Sequence, residues 1–527
     1  MSSLPSTKST SKLLHPAGVI CALLFGYLIV SYVYCWLRLR HIPGPFHRRF
    51  SIVWMVWDLY QGKYVETLET LHAEYGPLVC IGPDWVSLGS STEIRRVQHH
   101  RSAWNRSHVY RGFRSAPGVD SMSTMTDRRH HGQLRSKLEP GYNGKGVEKF
   151  HKVIDQHIMK MISVIDDQYA TTENNRRPVR PLDLSKMVIY LLVDLISCLS
   201  FGRCFGCLER QGDFHSFIKT SEEILPVVLS LAILPIVHVI MNQPFAKVFM
   251  PKGGPLGPIV SIAESAVAER FGDTKVVRRD MLGSFVAHGL TREELELETV
   301  VQLLGGSETT STGVLHTMLC LMETPLAYGR LVAEIDHAIQ SGRITSSPVA
   351  DAEAKALPYL QAVIKEGLRL LPPAALIPKS SNADEMICGL RIPAGVSVDL
   401  SIKTALCDKA VYGQDAAVFR PERWLEADES SLQLMNETWR IVFGGPSRWE
   451  CIGKGLALVQ LGKLYVELFR RYDFAIANPR RPWRAKGGRI WIITDFLVMV
   501  TAKESYSRAN AGMDVNGLNE EKTHTCT

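Results

Sequence analysis

One cysteine in this chain stands where sulfur could bind a metal. The stretch reads Phe443-Gly-Gly-Pro-Ser-Arg448-Trp-Glu-Cys451-Ile-Gly453-Lys-Gly-Leu-Ala457. Two glycines and a proline allow a tight backbone path with few side chains in the way. Cys451 lies where that loop enters an apolar run. A sulfur at a helix N-terminus sees the positive end of the helix dipole, which favours thiolate. Arg448 adds positive charge nearby and can reach an anionic group. A thiolate on a rigid loop suits an axial ligand to haem iron, and Gly453 with Ala457 leaves a flat surface for a porphyrin face. A lone cysteine at a helix start is more often just buried, so the reading rests on what accompanies it.

A second unusual stretch is Gly305-Gly306-Ser307-Glu308-Thr309-Thr310. It follows Thr291-Arg-Glu-Glu294, a capping box that opens a helix reaching to about Glu323 and stopped by Pro325. Each mid-helix glycine costs about 1 kcal/mol relative to alanine. A plain core helix has no need of two, followed at once by an acid and hydroxyls; a helix that loosens locally to seat small polar species does. Elsewhere, His131 and Arg135 are one helical turn apart and face the same way. Paired donors on one face suit carboxylates, although a basic surface helix reads alike. Glu366 and Arg369 can also pair along a helix, which alone carries little weight.

Taken together, these stretches resemble a known family. The run Phe-Gly…Arg…Cys-x-Gly-x-x-Leu-Ala is similar to the haem-ligand signature of the cytochrome P-450 monooxygenases. There the Phe usually stands seven residues before the cysteine and a Gly four before. Here Phe443 is eight before and Ser447 four before, so the loop is one residue longer. The resemblance covers residues 43–500 through five motifs in order. It implies haem b, with Cys451 as the iron ligand and Arg448, His131, Arg135 and Lys379 toward the propionates. It gives Thr309 the role of the threonine that assists oxygen activation, and Glu308 that of the acid relaying protons. It joins Glu366 and Arg369 to Arg423, in Phe419-Arg-Pro-Glu-Arg423-Trp, as a buried structural network. It also implies O₂, an NADPH-cytochrome P-450 reductase with cytochrome b5 as a further donor, and a small apolar substrate. The ending Asp473-Phe474…Asn478-Pro479…Pro482-Trp483 looks most like fungal members similar to pisatin demethylase, many of which act in secondary metabolism. A haem-thiolate isomerase or dehydratase, and a non-catalytic haem sensor, are the alternatives; Thr309 argues against the first, and the longer loop is the best support for the second.

The elements that must position these residues can be read along the chain. Of 527 residues 46% are hydrophobic, enough for one large core, and no Pro/Ser/Gly-rich linker divides the middle. The net charge of +7 is not gathered into one run, so nucleic acid is no expected partner. A basic patch near Arg128, Arg129, Arg135 and Lys137, and near Lys454 and Lys463, would suit an acidic electron donor, although an ordinary solvated face reads alike. Residues 17–37 carry no charge; at about 1.5 Å per residue they span a bilayer core of about 30 Å. Arg38, Arg40, Arg48 and Arg49 follow, against Lys8 and Lys12 before, which puts the bulk of the chain on the cytosolic side. The expectation is a single-pass endoplasmic-reticulum protein: a tail 1–16, an anchor 17–37, a Pro-Gly hinge 38–45, a catalytic domain 46–503 and a polar tail 504–527.

Within the domain, residues 64–75 read as a helix and 78–81 and 85–88 as short strands. These elements point to a fold class that is mainly α with a small β-sheet region, behind one N-terminal transmembrane helix; the resemblance implies that it is the cytochrome P-450 fold. Residues 224–240 are apolar but broken by Pro226 and Pro235, which fits a helix pair dipping into a lipid surface better than a second span. The resemblance implies that residues 109–122, 226–240, 303–307 and 374–377 line the substrate pocket. Residues 486–493 and 496–500 read as a closing hairpin. Eleven cysteines show no paired spacing; Cys204-x-x-Cys207 has no second pair or following histidine at zinc spacing and reads as free thiols. Asn105-Arg-Ser107 and Asn436-Glu-Thr438 match glycosylation acceptors, unused if the domain is cytosolic.

Overall fold

The computed structural model describes residues 33–171, 180–243, 254–272 and 276–506, with residues 26, 30 and 31 ahead of them. The expected tail 1–16, most of the expected anchor 17–37 and residues 507–527 lie outside the described residues.

The architecture is helical around one long axis. The helix Arg292–Glu323 runs 32 residues. It opens on the expected capping box, with Thr291 and Glu294 each bonding the other's backbone N–H, and Pro325 begins the next helix. Leu184–Phe201, Gly257–Ala268, Pro358–Leu370 and Lys454–Phe469 pack around it. Nearly all of Leu184–Phe201 is buried. It is long and apolar enough for a membrane, but 83% of that window is covered by protein, so it is a core helix.

The larger sheet has five short strands. Leu78–Gly82 pairs antiparallel with Trp85–Leu88, which runs parallel to Ser397–Leu400; Pro378–Ser380 and Asn105–Arg106 complete the far edge. Every residue of the first two strands is buried, because helices cover both faces. Pro43-Gly44-Pro45 is docked on this sheet: the Cys80 N–H donates to Pro43 O at 2.7 Å. A Cβ on Gly44 would lie 2.5 Å from Cys80 O.

The end of the chain departs from the expected hairpin. Arg484–Gly487 pairs with Trp491–Thr494, while Leu497–Ala502 pairs with Tyr472–Ile476 and, at its start, with Leu182–Asp183. Two adjacent apolar runs favoured pairing with each other, but the tight turn at Gly487-Gly488 closes the hairpin earlier. Residues 504–506 still belong to the folded unit, since Tyr506 donates to Asp166 at 2.6 Å.

Residues 224–240 form the expected pair. Phe217–Leu231 and Pro235–Met241 meet at 99°, and His238 is satisfied by Ala232 O at 2.8 Å. Leu231, Ile236, Val239 and Ile240 are exposed. The helix Val53–Gln61 packs beside them and exposes Val53, Trp54, Trp57 and Tyr60.

Candidate functional site

A cavity of about 350 Å³ lies between the long helix and the cysteine loop. Cys451, Ile452 and Gly453 form one wall; Gly305, Gly306, Thr309 and Thr310 form the opposite one. The loop is held from both ends. Cys451 N donates to Phe443 O at 2.7 Å, and Gly445 N to Arg440 O at 3.0 Å. Gly444 takes φ +72°, the left-handed region that glycine enters at no cost. Glu450 folds over Gly445, where a Cβ would meet its carboxyl carbon at 2.8 Å. Lys454 holds that carboxylate at 2.9 Å.

The Cys451 side chain is open to the cavity and otherwise enclosed by protein. Enclosure pushes its thiol pKa up; the N–H groups of Gly453 and Lys454 and the charge of Arg135 pull it down. The expected thiolate-favouring helix end is therefore real but is outweighed by burial. A bound cation reverses that balance, since a coordinated thiol is deprotonated.

The long helix is unbroken through Gly305-Gly306. Its loosening takes another form: Ser307, Thr309 and Thr312 hydroxyls donate to the carbonyls of Leu303, Gly305 and Glu308 at 2.6, 2.7 and 3.1 Å. Such back-bonding slightly weakens and bends a helix. Gly305 faces open space, whereas a Cβ on Gly306 would meet Ile196 of Leu184–Phe201 at 3.0 Å. One glycine thus serves the cavity and the other helix packing. Both Thr309 and Thr310 border the cavity. Glu308 does not. It is buried on the other flank, beside Ser221 and Glu222 of the π-helical turn Thr220–Ile224. One carboxylate oxygen has no hydrogen-bond partner among the described residues. Burial pushes its pKa up to about 7, with the Ser221 hydroxyl pulling the other way.

Cations crowd one rim. Lys379 is 2% exposed and, with Arg106 and Arg489, lines the cavity. None of the three forms an ion pair with a carboxylate among the described residues. Burial pushes Lys379 well below its ordinary range, helped by the charges of Arg106, Arg128 and Arg448. Burial likewise holds Arg106 down to about 10. Arg106 and Lys379 both lie over the Trp449 ring, at 4.4 and 5.5 Å. Buried like charges without counter-charge are costly, so this rim calls for anions. His131 borders the cavity and is neutral, pushed down to about 3 by burial and then by Arg106 and Arg135. With a sulfur below, carboxylate-seeking cations at one edge and a small-residue wall opposite, the donors fit a haem with two propionates.

Two expected contacts turn out differently. Arg448 is directed outward and donates to His100 O at 2.8 Å; Trp449 takes the inward position. Arg135 donates to Glu450 O on the cysteine loop, so it braces the loop while His131, one turn away, faces the cavity. Arg106 and Arg489 escaped the sequence reading, which saw Arg106 only inside a glycosylation triplet. Asn105 of that triplet accepts from Arg128, and Asn436 accepts from Lys365 at 2.8 Å. Of the expected lining segments, 109–122 supplies Tyr110 and Met122, 303–307 supplies the two glycines, and 374–377 supplies Ala374, Leu376 and Ile377. Residues 226–240 do not line it; Pro226, Leu229 and Ser230 border a separate crevice.

Behind the cysteine loop, Glu366, Arg369 and Arg423 meet in one buried cluster. Arg369 grips Glu366 with two nitrogens, at 2.9 and 2.8 Å. Arg423 Nε donates at 2.9 Å, Trp424 Nε1 at 2.9 Å and Arg420 N at 3.1 Å. The arginines also bind carbonyls of Leu406, Ala416 and Val418, which ties the segment before the cysteine loop to Pro358–Leu370.

A family model described as Cytochrome P450 matches residues 43–494. The chain is 34% identical over 500 residues to Cytochrome P450 monooxygenase ABA1 of Pyricularia oryzae, covering 93% of this chain and 97% of that one. It is 32% identical over 474 residues to Cytochrome P450 monooxygenase aba1 of Botryotinia fuckeliana, covering 88% and 92%. It is 28% identical over 495 residues to Cytochrome P450 monooxygenase gsfF of Penicillium aethiopicum, covering 89% and 94%.

Proposed function

The chain belongs to the cytochrome P450 family and is an oxidoreductase of the monooxygenase class, and on that premise we propose that it inserts one oxygen atom from O₂ into an apolar small molecule of fungal secondary metabolism. The observation that carries the reading is the cavity that sets Cys451 opposite Gly305, Gly306 and Thr309, with Arg106, Lys379 and Arg489 beside it and no carboxylate paired to them among the described residues.

Haem b, held through the Cys451 sulfur, would supply one-electron and O₂ chemistry tuned by electron donation from that sulfur. The chain's own residues do the rest. Arg106, Lys379 and Arg489 would neutralise the propionates, and neutral His131 would offer a ring N–H on the same rim. Thr309 holds its hydroxyl proton on Gly305 O until a better acceptor enters the cavity, then turns to donate to it. Glu308, with a pKa near neutrality, holds a proton behind the helix, and the Ser221 hydroxyl is its hydrogen-bonded neighbour. The walls contributed by Ile196, Leu376 and Ile377 exclude water and favour an apolar substrate.

Electrons arrive from an NADPH-cytochrome P-450 reductase, with cytochrome b5 as a further donor. A crevice beside Pro446 of the cysteine loop is bordered by Arg95, Arg96, Arg101 and Arg440 with one acid, Glu437, and although Arg95, Arg96 and Arg440 have carboxylate partners its excess of arginines supports docking of an acidic partner there. The exposed apolar side chains on Val53–Gln61 and Pro235–Met241 support a face resting on the endoplasmic-reticulum membrane, with the domain cytosolic and residues 17–37 as its single anchor. The 473–483 ending supports a place among fungal members similar to pisatin demethylase. An isomerase or dehydratase needs no reductase, and a sensor forms no product, so product formed per NADPH separates the three readings. Reduced protein with CO should give the red-shifted Soret band of a thiolate complex, and Cys451→Ala should lose it. A mutant that keeps the band places the ligand elsewhere.

A further inference from the structure

We propose that His157, Cys198 and Cys204 form a zinc-binding site, apart from the haem cavity. The sequence points at Cys204-x-x-Cys207 and offers no partner for it. Folding separates that pair. Cys207 turns into the core and is wholly buried, while Cys204 faces outward on the reversal after Leu184–Phe201. There it meets Cys198, near the end of that helix, and His157, from Phe150–Gln168. The three donor atoms lie within 4.8 Å of one another, with His157 Nε2 and Cys204 Sγ at 3.2 Å.

Three features mark this as more than proximity. First, His157 Nδ1 bonds the Val153 carbonyl at 2.7 Å. A carbonyl can only accept, so Nδ1 carries the proton and the Nε2 lone pair points at the sulfurs. A metal-binding imidazole is ordinarily oriented by such a bond from its other nitrogen. Second, the reversal is fixed in advance. The Asp194 carboxylate accepts the N–H groups of Gly206, Cys207 and Leu208 at 2.7, 2.9 and 2.9 Å, and Phe205 N donates to Ser197 Oγ at 3.3 Å. Gly202 and Gly206, with φ of +70° and +82°, let the chain turn this sharply. Third, the donor set is chemically selective. Two thiols and an imidazole suit a borderline-soft ion such as zinc, and suit calcium or magnesium poorly.

The size also fits. Zn–S bonds of about 2.3 Å and Zn–N bonds of about 2.0–2.1 Å put tetrahedral ligands roughly 3.5–3.8 Å apart. Donors already within 4.8 Å reach that by small side-chain rotations. On binding, each thiol loses its proton to solvent and its sulfur forms a bond to Zn²⁺. His157 gives a neutral nitrogen, and the complex is uncharged overall. A water completes the fourth position on the side where Cys204 meets solvent. The ion would clasp the reversal to two helices, one of which, Leu184–Phe201, packs against the long helix opposite Cys451.

The test uses the full-length, haem-loaded protein, treated with reductant and chelator, then equilibrated with zinc and freed of excess. Elemental analysis should find one zinc per chain. Cys204→Ser should weaken retention by at least about tenfold while the CO spectrum stays unchanged. Zinc should also slow alkylation of Cys204 and raise the unfolding temperature of wild type but not of Cys204→Ser. If Cys198→Ser fails to fold, the alkylation rates in wild type decide alone. Equal zinc retention by wild type and a Cys198→Ser/Cys204→Ser double variant would overturn the proposal. So would alkylation unaffected by zinc, or a Cys198–Cys204 disulfide in protein isolated without oxidant.

Discussion

Replacing Glu366 by glutamine should cost the protein its haem before it costs any chemistry. Glu366 accepts five hydrogen bonds, two from Arg369 and one each from Arg423, Trp424 Nε1 and Arg420 N. Glu366 and Arg369 are wholly buried and Arg423 is nearly so. Glutamine keeps the shape but removes the charge and turns an N–H₂ group toward guanidinium donors. Among the described residues Arg369 is then left with no carboxylate partner, and Arg423 keeps Asp415 alone, at 3.0 Å. Breaking a buried ion pair from one side costs about 3–5 kcal/mol. Total stabilities are about 5–15 kcal/mol, so a large share is lost. With unfolding entropy of about 2.1 cal/mol/K per residue, the folded part has about 1 kcal/mol/K, and the unfolding temperature should fall by about 3–5 °C. The arginines also hold the segment leading into the cysteine loop, so the loss is felt at Cys451. The assay is the CO difference spectrum per milligram of protein, with the unfolding temperature and the turnover per haem of whatever folds. Low haem loading with normal turnover per haem is expected. A variant that loads fully, melts unchanged and has lost turnover would refute the reasoning and move Glu366 into the chemistry.

Three further outcomes follow from the geometry. Thr309→Ala should still bind haem and CO and still consume NADPH, but yield less product and more hydrogen peroxide per NADPH; since Thr310 also borders the cavity, Thr310→Ala should give a smaller change of the same kind, and unchanged coupling in the double variant would remove both from oxygen activation. Asp399, bonded by Tyr64 OH at 2.6 Å and Ile377 N at 2.8 Å, is pushed up to about 7 by burial; its contribution is full below about pH 4 and lost as pH rises through 7, so the stability of wild type relative to Asp399→Asn should fall between pH 5 and 8, and a gap that is constant or widens would contradict this. Replacing Trp57, Ile236 and Val239 together by serine should lower vesicle binding of protein lacking residues 1–40 by about tenfold or more, since each buried apolar side chain is worth about 1.5–3 kcal/mol; binding that stays unchanged would place the membrane face elsewhere.

Much of the framework was legible because its signals are local. A capping box and a proline fix the ends of Arg292–Glu323, and Tyr64–Tyr75 has the bounds its pattern implies. Cys451, Thr309 and Lys379 line one cavity, and Glu366, Arg369 and Arg423 form one buried cluster, from motifs that are each short and local in sequence. What was not legible depends on contacts distant in sequence. An isolated arginine such as Arg106 or Arg489 reads as surface until the fold covers it. The resemblance names Glu308 as a proton-relaying acid without saying which way it points; one position on a helix is about 100° of rotation, and it lies on the flank away from the cavity, beside Ser221 and Glu222. The partner of Leu497–Ala502 is chosen by the whole sheet rather than by the nearest turn.

The extra residue in the cysteine loop shows how a local departure is absorbed. Both ends of the loop are pinned, by Cys451 N to Phe443 O and by the helix that starts at Lys454, so the added residue can only bulge between them. The bulge turns Arg448 out to His100 O and brings Trp449 in. A tryptophan cannot neutralise a carboxylate, yet its ring face attracts cations, and it carries Arg106 and Lys379 over its surface. Positive charge at the rim comes from the sheet strands Asn105–Arg106 and Pro378–Ser380 rather than from the loop. It follows that Arg448→Ala should leave haem loading nearly unchanged, whereas Arg106→Ala should lower it strongly, because Arg106 also holds the carbonyls of Met122 and Met125 at 2.6 and 3.1 Å. Haem titration of the two purified variants separates these outcomes. Equal loss in both would mean that the loop arginine still reaches the cofactor and that the outward position of Arg448 is not the one the loaded protein uses.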